Sequence, residues 1–255
     1  GLEYSVQGLQ HPFLHTWSLS VEEQYYILFP IILLITFKYF RKYLIHILIF
    51  AFIVSLSLAE WSSRNYPSAS FYFLHTRMWE LLAGSILAYF EIKKEDRSQN
   101  KIFNLILPFT GLILIGHSIL YFNDEILHPS FYTLSPIIGV CLIIWFSSKD
   151  ELITKVLSTK LFVGIGLISY SLYLWHYPIL VFGKIGNFTG IENDNLINKF
   201  ILVIISILLS VLTYYLIENT CRKKFKIKIK NFLFITLTIY FISILSFYML
   251  KQNQE

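Results

Sequence analysis

The stretch HTWSLSVEEQ, residues 15–24, leads directly into the apolar run YYILFPIILL, residues 25–34. Its first part packs a histidine, two serines, two glutamates and a glutamine into ten residues. Its second part is apolar in the way that a membrane helix requires. Polar groups at the end of a membrane helix cost free energy unless they have hydrogen-bond or ionic partners or serve a function. The stretch therefore predicts a helical membrane fold with a polar site at one end of a helix.

The composition places the whole chain in the same class. Of its 255 residues 55% are hydrophobic and 15% are charged, whereas about 25% are charged in a soluble domain. The net charge of +5 comes from lysines and arginines in short loops, so it indicates the orientation of the chain in the membrane and not a nucleic-acid partner. The chain begins at Gly1 without a signal-peptide pattern, and we expect an N-terminal part to be missing.

Eight apolar runs reach, or nearly reach, the roughly 20 residues that a spanning helix needs. They are continuously apolar and lack the alternation of a membrane barrel, so helices are the way to satisfy the backbone in lipid. We expect an all-α, polytopic transmembrane helix bundle with about eight transmembrane helices. The runs lie at residues 23–40, 43–59, 71–91, 102–122, 131–147, 161–183, 196–217 and 231–250.

The lysines and arginines predict the orientation of these helices. Most of the 21 basic residues lie at one set of alternate helix ends, at residues 38–42, 93–101, 149–160 and 222–230. Lysines and arginines are enriched in the cytoplasmic loops of membrane proteins. Residues 1–22 and the C-terminus are therefore expected outside the membrane.

The two cysteines predict neither a disulfide framework nor a metal site. Cys141 lies in an apolar run and Cys221 in a basic loop. Zinc-type spacing of cysteine and histidine is absent from the sequence, so no metal is expected.

The opening polar stretch has two interpretations. Ser20 and Glu23 have the spacing of a capping box at the start of a helix. Capping leaves the other polar residues unexplained, and their density favours a substrate-facing site. Those residues are His15, Trp17, Ser18, Glu22 and Gln24.

A second polar cluster lies inside the third apolar run. Arg77 and Glu80 are three residues apart and share a helical face. Each charge costs roughly 2.5–3.5 kcal/mol in the membrane, and a mutual ion pair reduces that cost. The pair either locks two helices together or lines a cavity for an anionic or hydroxylated substrate. Gly84 would let a neighbouring helix approach.

A third cluster is the stripe formed by Ser169, Tyr173 and His176, with Tyr170 and Tyr177 beside it. Their spacing places the first three on one face of a helix. The stripe is either a buried polar network or a group that handles substrate or protons.

A fourth cluster lies at a cytoplasmic helix end. Glu218 and Arg222 have the favourable i, i+4 order of an ion pair. The basic run at 222–230 follows, and its default role is contact with anionic lipid. A phosphate-rich cosubstrate would use the same charges.

These segments resemble the acyltransferase family 3 membrane proteins. The matching segments are residues 15–26, 76–84, 169–178 and 218–222, although Asn219 stands where the family usually has a proline. The family includes enzymes that O-acetylate lipopolysaccharide O-antigen and other bacterial surface glycans. The resemblance implies transfer of an acyl group, usually acetyl, from cytoplasmic acyl-CoA to a carbohydrate hydroxyl, with no bound cofactor.

The resemblance also implies what lies outside this chain. The family's first helices carry an arginine and a presumed catalytic histidine, which would lie upstream of Gly1, so we expect the 255-residue chain alone to be inactive. Residues 1–222 would be the C-terminal part of the acyltransferase domain. Residues 223–255 would be a basic cytoplasmic linker and an additional helix, which in many members leads to an extracytoplasmic SGNH-type domain.

The resemblance and the polar clusters together assign the site. Glu22 and His176 are expected to support catalysis. Substrate is expected to contact Trp17, Ser18, Glu23, Arg77, Glu80, Tyr170 and Tyr173. The expected partners are membrane lipid, a carbohydrate acceptor and acyl-CoA.

The alternative function is a transporter or flippase for a glycolipid or a small solute. Polar residues inside helices suit it equally well. It would be indicated by a hydropathy repeat between the two halves with matching broken helices, which the sequence does not show.

Overall fold

The computed structural model describes residues 13–93, 100–123, 126–148, 151–186 and 196–222. Throughout these residues the regular structure is helical, with no strand. Short 3-10 turns at Leu14–Thr16, Arg41–Tyr43 and Phe131–Thr133 precede α1, α2 and α6, and a π-helical turn at Tyr214–Glu218 joins the last two helices. The helices are α1 (Trp17–Tyr39), α2 (Leu44–Asn65), α3 (Pro67–Tyr72), α4 (Leu74–Lys93), α5 (Lys101–Tyr121), α6 (Leu134–Phe146), α7 (Leu152–Leu157), α8 (Lys160–Gly186), α9 (Leu196–Thr213) and α10 (Asn219–Arg222).

The helices present large apolar side chains outward and bury small polar ones. Leu34 of α1 is 72% exposed and Ile204 of α9 is 54% exposed, whereas Ser206 and Ser210 of α9 are buried. Both serine hydroxyls donate to the carbonyl four residues earlier, at 2.8 Å and 2.6 Å. Outward apolar residues suit lipid, and small inward residues let helix backbones approach closely. This pattern makes the chain a multi-pass membrane helix bundle.

Three helix pairs build the bundle: α2 with α4, α5 with α6, and α8 with α9. In the first pair Ala59 and Trp79 are fully buried. The Ser55 hydroxyl of α2 donates to the His75 carbonyl at 2.7 Å and accepts from the Trp79 amide at 3.1 Å. A regular helix joins a carbonyl directly to the amide four residues later. Ser55 therefore anchors α2 to the turn of α4 that contains Arg77.

Two glycines set the close approach of α5 and α6. A Cβ atom on Gly111 would lie 2.6 Å from the Gly139 carbonyl oxygen, and one on Gly139 would lie 2.7 Å from the Gly111 carbonyl oxygen. Because the obstructing atoms belong to the backbone, no rotamer change can relieve the clash. The absence of both side chains is therefore a condition for this helix contact.

We predict that Gly111→Ala destabilises the protein by about 1–3 kcal/mol, because the added methyl group forces α5 and α6 apart. The measurement is the free energy of unfolding in detergent–lipid micelles. Gly116→Ala, in the same helix, is the matched control because no atom lies within 4 Å of its added Cβ. Equal stability of the two variants would contradict the close packing of α5 against α6.

Five helical segments among the described residues are long and apolar enough to cross a membrane. They are Leu14–Tyr39, Arg41–Asn65, Lys101–Tyr121, Lys160–Gly183 and Leu196–Glu218. The predicted runs at 71–91 and 131–147 are also helical, but α4 carries Arg77 and Glu80 in its first two turns and Phe131–Phe146 is short. The expected all-α, polytopic class is confirmed. The predicted helix at 231–250, within the predicted segment 223–255, lies outside the described residues.

The predicted capping box at Ser20 and Glu23 is wrong. Helix α1 begins at Trp17, so Ser20 lies inside it. The 3-10 turn at Leu14–Thr16 continues directly into α1, and the Trp17 amide donates to carbonyls of that turn. Because the turn already provides acceptors for the start of the helix, α1 needs no side-chain cap.

Candidate active site

The centre of the site is the His15 side chain, which is 7% exposed. The turn at Leu14–Thr16 carries it into an aromatic cluster on α8. Its ring centroid lies 5.1 Å from that of Tyr173, 5.3 Å from that of His176 and 5.0 Å from that of Tyr177. Residues about 160 positions apart in the chain thus form one cluster, as expected of helices that pack side by side in a bundle.

A hydrogen-bonded chain fixes the backbone of His15. The Tyr173 hydroxyl donates to the His15 carbonyl at 2.5 Å. The Ser18 hydroxyl lies 2.6 Å from the same Tyr173 oxygen. Either hydroxyl can be the donor in that contact, and the Ser18 hydroxyl also lies 3.5 Å from the His15 carbonyl oxygen. Ser18 and Tyr173, both expected at the site, therefore join α1 to α8.

The neighbouring histidine has a defined tautomer. His176 Nδ1 lies 3.1 Å from the Leu172 carbonyl oxygen. A carbonyl can only accept, so Nδ1 carries the proton in this contact and Nε2 carries a lone pair. His176 is thus arranged to accept a proton or a hydrogen bond at Nε2.

A groove of about 460 Å³ lies between α8 and α9. Ser169, Tyr173 and His176 line it from α8, and Ser206 lines it from α9. Its remaining lining is aliphatic, and its volume is within the usual 300–1,000 Å³ range of ligand sites. The stripe predicted on α8 therefore forms the polar wall of an otherwise apolar groove.

The predicted ion pair on α4 forms a second polar centre. Arg77 Nη2 lies 3.0 Å from Glu80 Oε2, and Arg77 Nε lies 3.3 Å from Glu80 Oε1. The guanidinium also lies over the Trp17 ring, with Cζ 4.9 Å from the ring centroid. Trp17 packs on Phe71 at 4.3 Å between centroids. These contacts compensate a charge that lies within the helix bundle.

His128, in the connection between α5 and α6, faces this ion pair. Burial lowers the pKa of His128, and the Arg77 guanidinium lowers it further, whereas Glu80 acts in the opposite direction. A histidine whose pKa is below its ordinary value is neutral at pH 7. His128 therefore adds no positive charge beside Arg77.

The fourth predicted cluster is an ion pair with a hydroxyl partner on α8. Arg222 Nη2 lies 2.7 Å from Glu218 Oε1, as the spacing predicts. The Ser171 hydroxyl of α8 donates to Glu218 Oε2 at 2.9 Å. Glu218 ends the π-helical turn, a geometry that often occurs at functional sites. The basic run beyond Arg222 lies outside the described residues.

Three predicted site residues lie away from these contacts. Glu22 and Glu23 are exposed on α1, and Tyr170 is 46% exposed on α8. Their expected roles in catalysis or binding stay predictions. The histidine expected upstream of Gly1 also stays a prediction.

Sequence reasoning gave no individual role to His15, Tyr177 or His128, although it placed His15 in the polar stretch expected to face substrate and Tyr177 beside the stripe. His15 stood in the polar stretch beside Trp17 and Ser18, and this position was the available signal. Nothing local indicates that its ring would meet Tyr177, because that contact depends on how α1 and α8 pack. Among the described residues, no group of three histidine, cysteine or acidic side chains could hold a metal ion.

The fold and the site together define a class: a multi-pass helical membrane protein with a buried histidine–tyrosine cluster beside a groove between its helices. The chain belongs to the family described as the acyltransferase domain (Acyl_transf_3), which matches residues 4–215. The family resemblance of the sequence motifs is thereby confirmed.

Curated relatives agree with this assignment. The chain is 33% identical over 237 residues to "O-acetyltransferase OatA" of Staphylococcus aureus (strain NCTC 8325 / PS 47), covering 88% of this chain and 38% of that protein. It is 30% identical over 229 residues to "Peptidoglycan O-acetyltransferase OatA" of Listeria monocytogenes serovar 1/2a, covering 85% of this chain and 36% of that protein. The chain thus spans less than two fifths of these relatives' length. No solved structure matches it significantly.

Proposed function

We propose that this domain transfers an acyl group, most simply acetyl, from acyl-CoA to a hydroxyl group of a cell-surface carbohydrate. The single observation that carries the proposal is the His176 imidazole, whose Nε2 lone pair is free and which lines the groove. A sugar hydroxyl is a poor nucleophile at its own pKa and needs a positioned base. The family assignment supports acyl transfer as the reaction.

The donor in this proposal is a thioester whose chain lies in the groove between α8 and α9. The groove is mainly aliphatic, which suits an acyl chain and its linear thiol carrier. Tyr173 and His176 form its polar wall, where the thioester carbonyl would lie. The basic run at 222–230 would bind the phosphates of coenzyme A, or else anionic lipid.

The acceptor in this proposal is a hydroxyl of peptidoglycan or of another surface glycan. The name of the Listeria relative specifies peptidoglycan, whereas the sequence resemblance pointed first to lipopolysaccharide O-antigen. The name therefore favours peptidoglycan as the acceptor to test first. Arg77 and Glu80 supply charged groups of the kind that bind sugar hydroxyls, and the Trp17 ring, which the Arg77 guanidinium covers, holds that pair in place.

We further propose the inner membrane as the location, with residues 1–22 outside. The distribution of basic residues supports this orientation. It would place the ring cluster around His15 near the outer face, on the acceptor side.

The proposal is tested with the full-length protein in isolated membranes. Radiolabelled acetyl-CoA is added together with purified peptidoglycan or O-antigen, and label in the glycan is measured. We expect label in the glycan that hydroxylamine or mild base releases, because an O-acetyl ester is sensitive to both.

Two results would contradict the proposal. If no glycan acquires label while the protein is present and folded in the membrane, acyl transfer to carbohydrate is wrong. If the membranes instead move solute without transferring label, the transporter function replaces it. Membranes without the protein serve as the control for background acetylation.

A further inference from the structure

The groove between α8 and α9 has a defined length along α8. Its lining residues on α8 follow one another at helical spacing and share one face: Ser169, Leu172, Tyr173, His176 and Leu180. A helix rises about 1.5 Å per residue, so this face extends over roughly 16 Å. His176 lies about 10 Å from Ser169 and about 6 Å from Leu180 along the helix axis. The groove therefore has a long arm and a short arm, one on each side of the His176 imidazole.

The buried face of α9 sets the depth of the groove. Every fourth residue along this face is buried: Asn198, Leu202, Ser206 and Ser210. Ser206 lines the groove, and its hydroxyl is bound within α9 to the Leu202 carbonyl at 2.8 Å. The small serine side chain leaves space between the two helices at this level. One turn towards the start of α9, the much larger Leu202 occupies the equivalent position on the helix.

Leu202 closes the groove beyond Leu180. A Cβ atom on Gly183 would lie 2.5 Å from Leu202 Cδ1 and 2.7 Å from Leu202 Cδ2, so this leucine packs directly on the α8 backbone. Val181, next to Leu180, is also buried, at 5% exposure. The two helices are thus in contact just past Leu180, and the short arm of the groove ends there.

Charge indicates which arm suits the carrier of an acyl group. The long arm points towards the start of α8, where Lys160 is exposed, and Lys155 is exposed on the preceding helix, α7. The basic residues at 149–160 belong to the side of the membrane that the sequence predicts as cytoplasmic. The phosphates of coenzyme A complement these lysines. The thiol carrier would therefore lie in the long arm, and the acyl chain in the short arm.

We propose that Leu180 and Leu202 restrict the transferred group to a short acyl chain, by closing the groove about one helical turn beyond His176. This inference rests on the proposed acyl-transfer function and names the residues that select its acyl donor. With the thioester carbonyl beside His176, an acetyl group fits before Leu180, whereas a longer chain meets the Leu180 side chain. A single methylene group in an apolar site changes the preference between two substrates by about 10–200-fold.

The test measures acyl transfer to glycan by the full-length protein in membranes, with acetyl-CoA, propionyl-CoA and butyryl-CoA as separate donors. The wild type is expected to prefer acetyl-CoA. Leu180→Ala removes the side chain that ends the short arm, so we expect the butyryl-to-acetyl ratio of kcat/KM to rise by about 10-fold or more. Leu180→Phe fills the same space further, so we expect it to lower the propionyl-to-acetyl ratio.

Leu172→Ala is the matched control, because Leu172 lines the same groove on the other side of His176. We expect it to raise KM for all three donors alike and to leave their ratios unchanged. Leu167→Ala, at a leucine of α8 that is 45% exposed and does not line the groove, should keep wild-type rates. Because each ratio compares donors on the same protein sample, a smaller folded fraction lowers both rates equally and does not change the ratio.

Three results would each overturn the inference. The first is an unchanged donor preference in both Leu180→Ala and Leu180→Phe. The second is a shift of the preference in Leu172→Ala instead, which would mean that the donor lies in the opposite direction. The third is a wild-type protein that uses all three donors equally well. A wild-type protein that transfers no acyl group from any donor would instead contradict the proposed function.

Discussion

Replacing His176 with alanine is expected to lower acetyl transfer to glycan by about two to four orders of magnitude, the usual contribution of a general base. The reason is the tautomer fixed by the Leu172 carbonyl, which leaves Nε2 as the proton acceptor in the groove. The rate of label transfer should be measured as a function of pH. The variant should lose rate at every pH at which the wild type is active.

The controls for this prediction separate chemistry from folding. The amount of His176→Ala protein in the membrane should equal that of the wild type, because only part of the ring is buried. His46→Ala should retain wild-type activity and pH dependence. If His176→Ala keeps a rate within about threefold of the wild type, His176 is not the group that takes the proton.

Replacing Glu80 with leucine is expected to destabilise the protein by about 3 kcal/mol or more, because Arg77 is then left partly buried without its counter-ion. The Arg77 side chain is 25% exposed and that of Glu80 is 20% exposed, so water shields the pair only in part. The measurement is the free energy of unfolding in mixed micelles. Trp17 alone would not replace the carboxylate, since a cation–π contact contributes about 0.5–2 kcal/mol.

The double variant Arg77→Met with Glu80→Leu tells a structural pair from a binding pair. Removing both charges should restore most of the stability, because no uncompensated charge remains. Acetyl transfer should stay low, since the substrate-binding role predicted for both residues is lost with the charges. Full activity of the double variant would show that the pair serves only to hold α4 in the bundle.

An ion pair with an exposed arginine sets the scale for this comparison. Arg64 and Glu60 on α2 also form an ion pair, but Arg64 is 65% exposed, and Glu60, which is 13% exposed, also accepts from the Phe131 amide and so keeps a partner when Arg64 is removed. We expect Arg64→Ala to change stability by about 1 kcal/mol or less. A loss as large as that of Glu80→Leu would mean that the burial of Arg77 does not account for the effect.

Local sequence patterns predicted the contacts within single helices. Arg77 with Glu80 and Glu218 with Arg222 form the ion pairs that their spacing indicates. These predictions succeed because the periodicity of a helix places residues three or four apart on the same face. The run at 71–91 was predicted as a spanning helix, but α4 is not among the segments apolar enough to span, since the charges that mark a site reduce its hydropathy.

The prediction from a local motif failed at the start of α1. A capping box at Ser20 required a helix that begins there, but the turn at Leu14–Thr16 extends α1 back to Trp17. Helix ends depend on which carbonyls and amides lie nearby, and a motif of four residues does not contain that information.

The composition, the apolar runs and four short motifs determined the membrane class, the helical fold and the acyltransferase family of this chain. Those properties follow from the amount of apolar sequence, its period and residue identity, all of which can be read along the chain. Only the tertiary structure decided that His15 meets Tyr173, His176 and Tyr177, and that its ring nitrogens lack partners among the described residues. The physical reason is that α1 and α8 are far apart in the chain, and their contact arises from the packing of whole helices in the membrane.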